Sequence, residues 1–154
     1  ELMDAKKNYQ KACIGIVKKR VEATLEGLGI EVAPNELYDY YYGLIDLEFW
    51  ARKYVGEDVV TWMKENVHPL DFVFRLAEDH GIVLLNGSGF EAPDWSVRVS
   101  FANLNDHVYD DIGRAVRAVA RSYRQAYEAS KGKAAKGEVA KAKAEAEAKP
   151  RAKK

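Results

Sequence analysis

The sequence contains few residues of the types that build disulfides and metal centres. Among its 154 residues, one is a cysteine, Cys13, and three are histidines. A single cysteine cannot form a disulfide within one chain, and it excludes a metal site built from several cysteines. His68 and His107 have no second ligand at the spacing of a metal motif, so the sequence predicts no metal site. A reducing compartment is the simplest expectation.

Long apolar runs are also missing from the sequence. No run approaches the roughly 20 residues that a membrane-spanning helix needs. The first residues do not contain the apolar segment of a secretory signal peptide. We therefore expect a soluble, cytoplasmic protein with no membrane partner.

Net charge is absent as well, because 24 basic and 24 acidic residues cancel. From Lys131 onward, nine basic residues stand against three acidic ones, a net charge of +6 that leaves −6 for the first 130 residues. A mildly acidic body argues against a nucleic-acid-binding domain, which usually presents a basic face. The last 24 residues form a low-complexity Ala/Lys/Glu tail without a large apolar face. We predict that this tail, 131–154, is disordered and solvated; contact with RNA or an acidic surface is the less favoured alternative.

Helical periodicity occurs in five segments of the chain. Apolar residues recur at intervals of three and four there, the pattern of a helix with one buried face. The predicted helices are 2–28, 47–56, 57–67, 70–80 and about 107–130. The first carries a predicted buried stripe that includes Ala5, Tyr9, Ile16 and Val21 and ends at Gly27 or Gly29. The stripe predicted for the last consists of Ile112, Val116, Val119, Tyr123 and Ala126.

Strand patterns occur in three further segments. Tyr38 to Leu47 is rich in strand formers, and 82–86 is a short apolar run. In 96–102 the residues alternate, and with Trp95 they give one apolar face: Trp95, Val97, Val99 and Phe101. The four tyrosines of the first strand are compatible with a binding surface, but a half-buried core position is the favoured interpretation. The sequence therefore predicts an α/β (α+β) domain, with helices packed on a small, mainly antiparallel sheet in which 82–86 and 96–102 are neighbours.

Arg98 is the candidate site residue. It stands on the polar face of the third strand, over a predicted floor of Ser96, Ser100 and Ala102, close to the glycine loop at 86–89. A guanidinium fork matches the two oxygens of a carboxylate, so the setting predicts carboxylate binding. The alternative is a structural arginine that is paired with a neighbouring acid.

Two other motifs do not support a catalytic site. Asp79 and His80 are adjacent on a predicted helix and therefore do not face each other, which argues against a dyad. The loop NGSGF lacks the pattern of a phosphate-binding loop and does not open a helix.

The stretch GIVLLNGSGFEAPDWSVRVSFANLND resembles the C-terminal part of fold-type I pyridoxal-phosphate aminotransferases, most closely the bifunctional aspartate aminotransferase/aspartate 4-decarboxylase group. YYYGLIDLEFWARKYVGEDVVTWMKENVHPLDFVFRLAEDHGIVLL resembles the same group, and the similarity covers roughly residues 1 to 128. In that family a strand arginine in an R-V-S/N-x-A setting binds the substrate's α-carboxylate. The matching residue here is Arg98, in SVRVSFANL.

The resemblance implies an interdomain helix at 1–29, a small C-terminal domain at 30–130, and the tail. It also implies a pyridoxal 5′-phosphate enzyme that converts L-aspartate to alanine and CO2, transaminates, and forms a homo-oligomer, a dimer or larger. Nothing in the chain resembles the segment with the Schiff-base lysine or the segments that hold the cofactor. We therefore expect no catalytic or cofactor-binding residues here, and no activity of the chain alone. The alternative is a non-catalytic binding or assembly module.

Overall fold

The computed structural model describes residues 2–31 and 41–148, and the side chains of 3–31 and 41–132. The described part contains five helices and three strands. The helices are α1 (Leu2–Leu28), α2 (Leu47–Tyr54), α3 (Glu57–Asn66), α4 (Pro69–His80) and α5 (Val108–Ala148). The strands are β1 (Tyr42–Asp46), β2 (Leu85–Asn86) and β3 (Ser96–Ser100), and a short 3₁₀ helix covers Gly87–Phe90. The mixed α/β class is as predicted.

The three strands form one antiparallel sheet in the order β1-β3-β2. Arg98 is the register partner of Leu44 on one side and of Leu85 on the other. The predicted pairing of 82–86 with 96–102 is confirmed, although only Leu85 and Asn86 are strand residues. Within the segment predicted as the first strand, 38–40 lie outside the described residues, and the strand ends at Asp46. It ends there because the Asp46 side chain accepts a hydrogen bond from Phe49 N at 2.8 Å and so begins α2.

The apolar face predicted for β3 is confirmed. Trp95, Val97, Val99 and Phe101 are all buried, in one hydrophobic core with the buried residues of α5. Ile112, Val116, Val119 and Tyr123 are buried as expected. Ala126 was the wrong choice for the next position of that stripe: it is exposed, and Tyr127 is the residue that packs on the core.

α1 and α5 pack closely at Gly27 and Gly113. A Cβ on Gly113 would lie 2.7 Å from Gly27 Cα, so both positions require the smallest residue. The Thr24 hydroxyl, which is buried, donates to Tyr109 O at 3.0 Å and joins the two backbones beside them. Gly29 adopts a φ of 77° and ends α1, as predicted, whereas Gly27 is a helix-packing residue.

The buried stripe predicted for the first half of α1 is wrong for this chain. Residues 3–16 are all exposed, and Tyr9 is 71% exposed. The helix contacts the core through its second half, which includes Val21 and Leu28. The periodic pattern is real, but the described body does not extend far enough along α1 to cover it.

Residues 131–148 of the tail predicted to be disordered belong to α5, which continues to Ala148 and is longer than predicted. Alanine, lysine and glutamate are strong helix formers, and the next proline after the helix starts is Pro150. That the tail is solvated stays a prediction. Among the described helices, none is long and apolar enough to cross a membrane.

Candidate functional site

Arg98 lies on the central strand of the sheet, on the face that is turned away from the core. Alternation along β3 turns Val97 and Val99 toward the core and Arg98 to the opposite face. Its two cross-strand partners, Leu44 and Leu85, are exposed there at 50% and 55%. A single guanidinium therefore stands among apolar side chains on the outer face.

The guanidinium of Arg98 contacts two aromatic rings. Its central carbon lies 4.0 Å from the centroid of Tyr42 and 4.5 Å from that of Phe90. Cations are attracted to ring faces, and such contacts restrict the side chain without using its N–H groups as hydrogen-bond donors. The fork of donors stays available for a planar anion.

The structural alternative, an arginine paired with a neighbouring acid, finds no support in the described residues. Among the described side chains, those of 3–31 and 41–132, no carboxylate forms an ion pair with Arg98. Other arginines of the domain differ in this respect. Arg20 Nε donates to Asp106 at 2.7 Å, and Arg75 Nε donates to Asp71 at 2.8 Å. The carboxylate-binding role of Arg98 itself stays a prediction.

A cleft of about 300 Å³ opens beside Arg98. This volume is at the lower end of the range for small-molecule sites. Its polar side chains come from Arg98, Ser100, Asn103 and Tyr42, and the rest of the lining is apolar: Val83, Leu84, Leu85, Val99, Leu104 and Ile112. The cleft is open to solvent on one side, because the lining residues Val83 and Leu85 are 79% and 55% exposed.

The predicted floor of the site is corrected by the structure. Ser100 lines the cleft, but Ser96 and Ala102 do not. Ser96 is fully buried, and its hydroxyl donates to Pro93 O at 2.6 Å. The loop covers it, because Gly87 approaches so closely that any added Cβ would meet the Ser96 hydroxyl.

The predicted proximity of Arg98 to the glycine loop is confirmed through Phe90, which follows Gly89. Asn86 organises the loop, since its Oδ1 accepts from Ser88 N at 2.8 Å and its Nδ2 donates to Asp94 O at 3.1 Å. The 3₁₀ turn then brings the Phe90 ring to Arg98.

Two aromatic contacts were missed in the interpretation of the sequence. Tyr42 is 44% exposed and packs on Arg98. For this tyrosine the structure favours the binding-surface interpretation over a core position. The signal was its place two residues before Leu44 on an alternating strand, which puts both on one face. Phe90 had no such signal, because it lies in a loop whose path the local sequence does not determine.

No protein-family model matches the chain. Comparison with curated proteins finds a "Bifunctional aspartate aminotransferase and L-aspartate beta-decarboxylase" of Pseudomonas sp, 36% identical over 128 residues. The aligned region is 83% of this chain. The family resemblance is confirmed. The chain spans about a quarter of the length of this aspartate aminotransferase/decarboxylase, since the aligned region is 24% of that protein.

The cleft alone does not fit the cofactor of such enzymes. Pyridoxal phosphate is held by a lysine as a Schiff base, with a partner for its ring nitrogen. None of the residues that line the described cleft is a lysine, and the loop at Gly87–Phe90 is followed by a strand rather than a helix that could hold a phosphate.

The other residues considered for catalysis or metal binding, Asp79, His80 and His68, do not line the cleft. No hydrogen bond joins Asp79 to His80 in the described part of the chain, and His68 accepts from Leu70 N at the start of α4. Within that same part, no group of three or more acidic, histidine or cysteine side chains is placed to hold a metal ion.

Proposed function

We propose that this chain is the C-terminal segment of a pyridoxal-phosphate enzyme that acts on L-aspartate, releasing the β-carboxylate as CO2 to leave alanine and also transaminating. Arg98 would bind the α-carboxylate of the substrate. The observation that carries the proposal is a guanidinium at the wall of a cleft, in contact with two aromatic rings and without an acidic partner among the described residues. The similarity to the Pseudomonas aspartate aminotransferase/decarboxylase supports the substrate class.

The contribution of this chain to such chemistry is orientation. The cofactor, when bound, serves as the electron sink for the substrate. A bidentate pair between Arg98 and one carboxylate fixes both the position and the rotation of a small substrate, which a point charge does not do. The contacts of Arg98 with Tyr42 and Phe90 hold the guanidinium in place before the substrate arrives, so less entropy is lost on binding.

The expected assembly is a cytoplasmic homo-oligomer, a dimer or larger. The exposed apolar residues of the first half of α1 support an assembly in which further protein surface covers them. Tyr9 and Ile16 are 71% and 47% exposed on this helix. Light scattering on the intact enzyme measures the oligomer directly, and a monomer at working concentration would contradict this part of the proposal.

A second candidate is a binding or assembly module without catalysis. The exposed apolar outer face of the sheet favours it, because such faces are typical of interaction surfaces. The two functions differ in what the isolated 154-residue chain and the intact protein do. Under the enzyme proposal, the intact protein retains pyridoxal phosphate after dialysis and produces alanine from aspartate, whereas the isolated chain does neither. An intact protein that lacks both properties would favour the module.

Substitution of Arg98 tests the role of the residue in the intact enzyme. Arg98→Lys keeps the charge but loses the fork, so we expect the variant to fold and to bind cofactor. Its kcat/KM for aspartate should fall by roughly 30- to several-thousand-fold, equivalent to about 2–5 kcal/mol for a desolvated charge pair. Arg98→Ala should lose at least as much.

The matched control is Arg20→Lys. Arg20 also pairs through its guanidinium, with Asp106, but it lies outside the cleft. Its substitution should change stability and leave kcat/KM close to that of the wild type. A folded Arg98→Lys enzyme with unchanged kcat/KM would show that Arg98 does not bind substrate.

A further inference from the structure

Ser100 carries a buried hydroxyl without a partner. Its Oγ is shielded from solvent and makes no hydrogen bond to any described residue. Buried polar atoms in native proteins are nearly always satisfied, and an unsatisfied one destabilises the fold. Ser100 also lines the cleft beside Arg98. An unsatisfied donor beside a binding cleft points to a ligand that satisfies it after displacing the side chains that now shield it.

Ser100 and Arg98 both line the cleft. Residues two apart on a strand share a face, so Ser100 and Arg98 lie side by side on β3. Tyr42 is the direct cross-strand partner of Ser100. The guanidinium carbon of Arg98 lies 4.0 Å from the centroid of the Tyr42 ring, so Arg98 contacts the residue that is paired with Ser100.

Ser96 shows that a serine on this face of β3 can have a hydrogen-bonded hydroxyl. It occupies the equivalent position on the other side of Arg98, on the same face of β3. The Ser96 hydroxyl is satisfied, since it donates to Pro93 O at 2.6 Å. Of these two flanking serines, only the one that lines the cleft has an unpartnered hydroxyl.

We propose that Ser100 is a second substrate-binding residue, whose hydroxyl donates a hydrogen bond to the carboxylate held by Arg98. This inference rests on the proposed function of Arg98. A carboxylate accepts about four hydrogen bonds, and a bidentate arginine uses two of them, which leaves acceptor capacity for a third donor. Binding of the ligand thus satisfies the Ser100 hydroxyl and adds a directional contact that the fork lacks.

The test uses Ser100→Ala in the intact enzyme, with succinate as a non-reacting dicarboxylate probe. A hydrogen bond to a charged group is worth roughly a 10- to 100-fold change in affinity. We expect the KM for aspartate and the inhibition constant for succinate to rise together by such a factor. The melting temperature should stay the same or increase, because the substitution removes an unsatisfied buried group. Ser100→Thr keeps the hydroxyl and should recover most of the affinity.

Ser96→Ala is the matched control. It removes a satisfied hydroxyl away from the cleft, so it should lower the melting temperature and leave the affinity for succinate unchanged. The opposite pattern of the two serine variants is the signature of the proposal. A merely structural role of Ser100 would instead lower stability, or prevent folding, with normal affinity in the folded fraction, and that result would overturn the inference.

Arg98→Ala separates this inference from the proposed function. Loss of succinate affinity in Arg98→Ala, together with normal affinity in Ser100→Ala, would overturn the role of Ser100 and leave that of Arg98 intact. Normal affinity in both variants would refute the proposed function, and the role of Ser100 with it.

Discussion

Replacement of Tyr123 by phenylalanine tests the contact that joins α4 to α5. The Tyr123 hydroxyl donates to Asp71 Oδ2 at 2.6 Å, and Arg75 Nε donates to the same oxygen at 2.8 Å. The Tyr123 ring is fully buried and packs on Phe72, with the ring centroids 5.9 Å apart. Phenylalanine fills the same volume, so Tyr123→Phe removes one hydrogen bond and leaves the packing in place.

The magnitude follows from the charge and exposure of the acceptor. A hydrogen bond to a charged group contributes about 1.5–3 kcal/mol. Asp71 keeps Arg75 as a partner, and its side chain is 40% exposed, so water replaces part of what is lost. We therefore expect the lower value, about 1.5 kcal/mol. For a domain of this size, this corresponds to a decrease in melting temperature of roughly 6 °C.

Thermal melts followed by far-ultraviolet circular dichroism measure this change, and Tyr127→Phe is the control. The Tyr127 hydroxyl lies 3.4 Å from Asp58 Oδ2 at an exposed position, so its loss should be close to neutral. Equal melting temperatures of the two variants would refute the assignment of the Tyr123 contact as a stabilising bond.

The difference in stability between the wild type and Tyr123→Phe should depend on pH. Burial, followed by the hydrogen bond to Asp71, raises the pKa of Tyr123 far above its ordinary value. In the unfolded chain tyrosine ionises near pH 10, whereas the folded state keeps the proton. The stability advantage of the wild type over Tyr123→Phe is therefore fully present below about pH 10 and declines as the pH rises above it. If the difference in unfolding free energy between the wild type and Tyr123→Phe grew above this pH, the predicted direction of the pH dependence would be wrong.

Two further predictions concern α5. Gly113→Ala should cost about 1–3 kcal/mol or more, because the added Cβ meets the α1 backbone, 2.7 Å from Gly27 Cα. Gly132→Ala, on the same helix but in open space, should instead stabilise the protein by about 1 kcal/mol. Urea titrations measure both changes, and a stabilised Gly113→Ala or a destabilised Gly132→Ala would contradict the argument. Deletion of Lys131–Lys154 should change the unfolding free energy by less than about 1 kcal/mol. The described side-chain contacts that it removes are exposed ones of Lys131, with Asp58 at 4.0 Å and with the Tyr127 ring, 4.5 Å from its centroid. A large loss of stability would show that the end of α5 docks on the body.

The sequence by itself determined the elements that depend on periodicity and local chemistry. Alternation along β3 placed Val97 and Val99 in the core and Arg98 on the opposite face, because side chains of a strand point to alternate sides. The left-handed conformation at Gly29 was readable for a similar reason, since glycine adopts a positive φ without a steric cost. The family resemblance was also readable, as it depends on the residues and not on their contacts.

Periodicity alone did not determine which apolar faces find a partner. The first half of α1 has a helical stripe as regular as that of its second half, yet Tyr9 is exposed and Val21 is buried. Burial depends on how far the neighbouring elements extend, and no local pattern records that extent. For the same reason the stripe of α5 ends on Tyr127 and not on Ala126, because Trp62 of α3 packs against the tyrosine ring.

Only the tertiary structure decided the surroundings of Arg98. Its contacts come from β1, through Tyr42, and from the 3₁₀ turn, through Phe90, which are far apart in the sequence. The two serines that flank Arg98 are equivalent by periodicity. They differ because the loop after β2 covers Ser96 and leaves Ser100 at the cleft, and the path of a loop follows from packing over the whole domain.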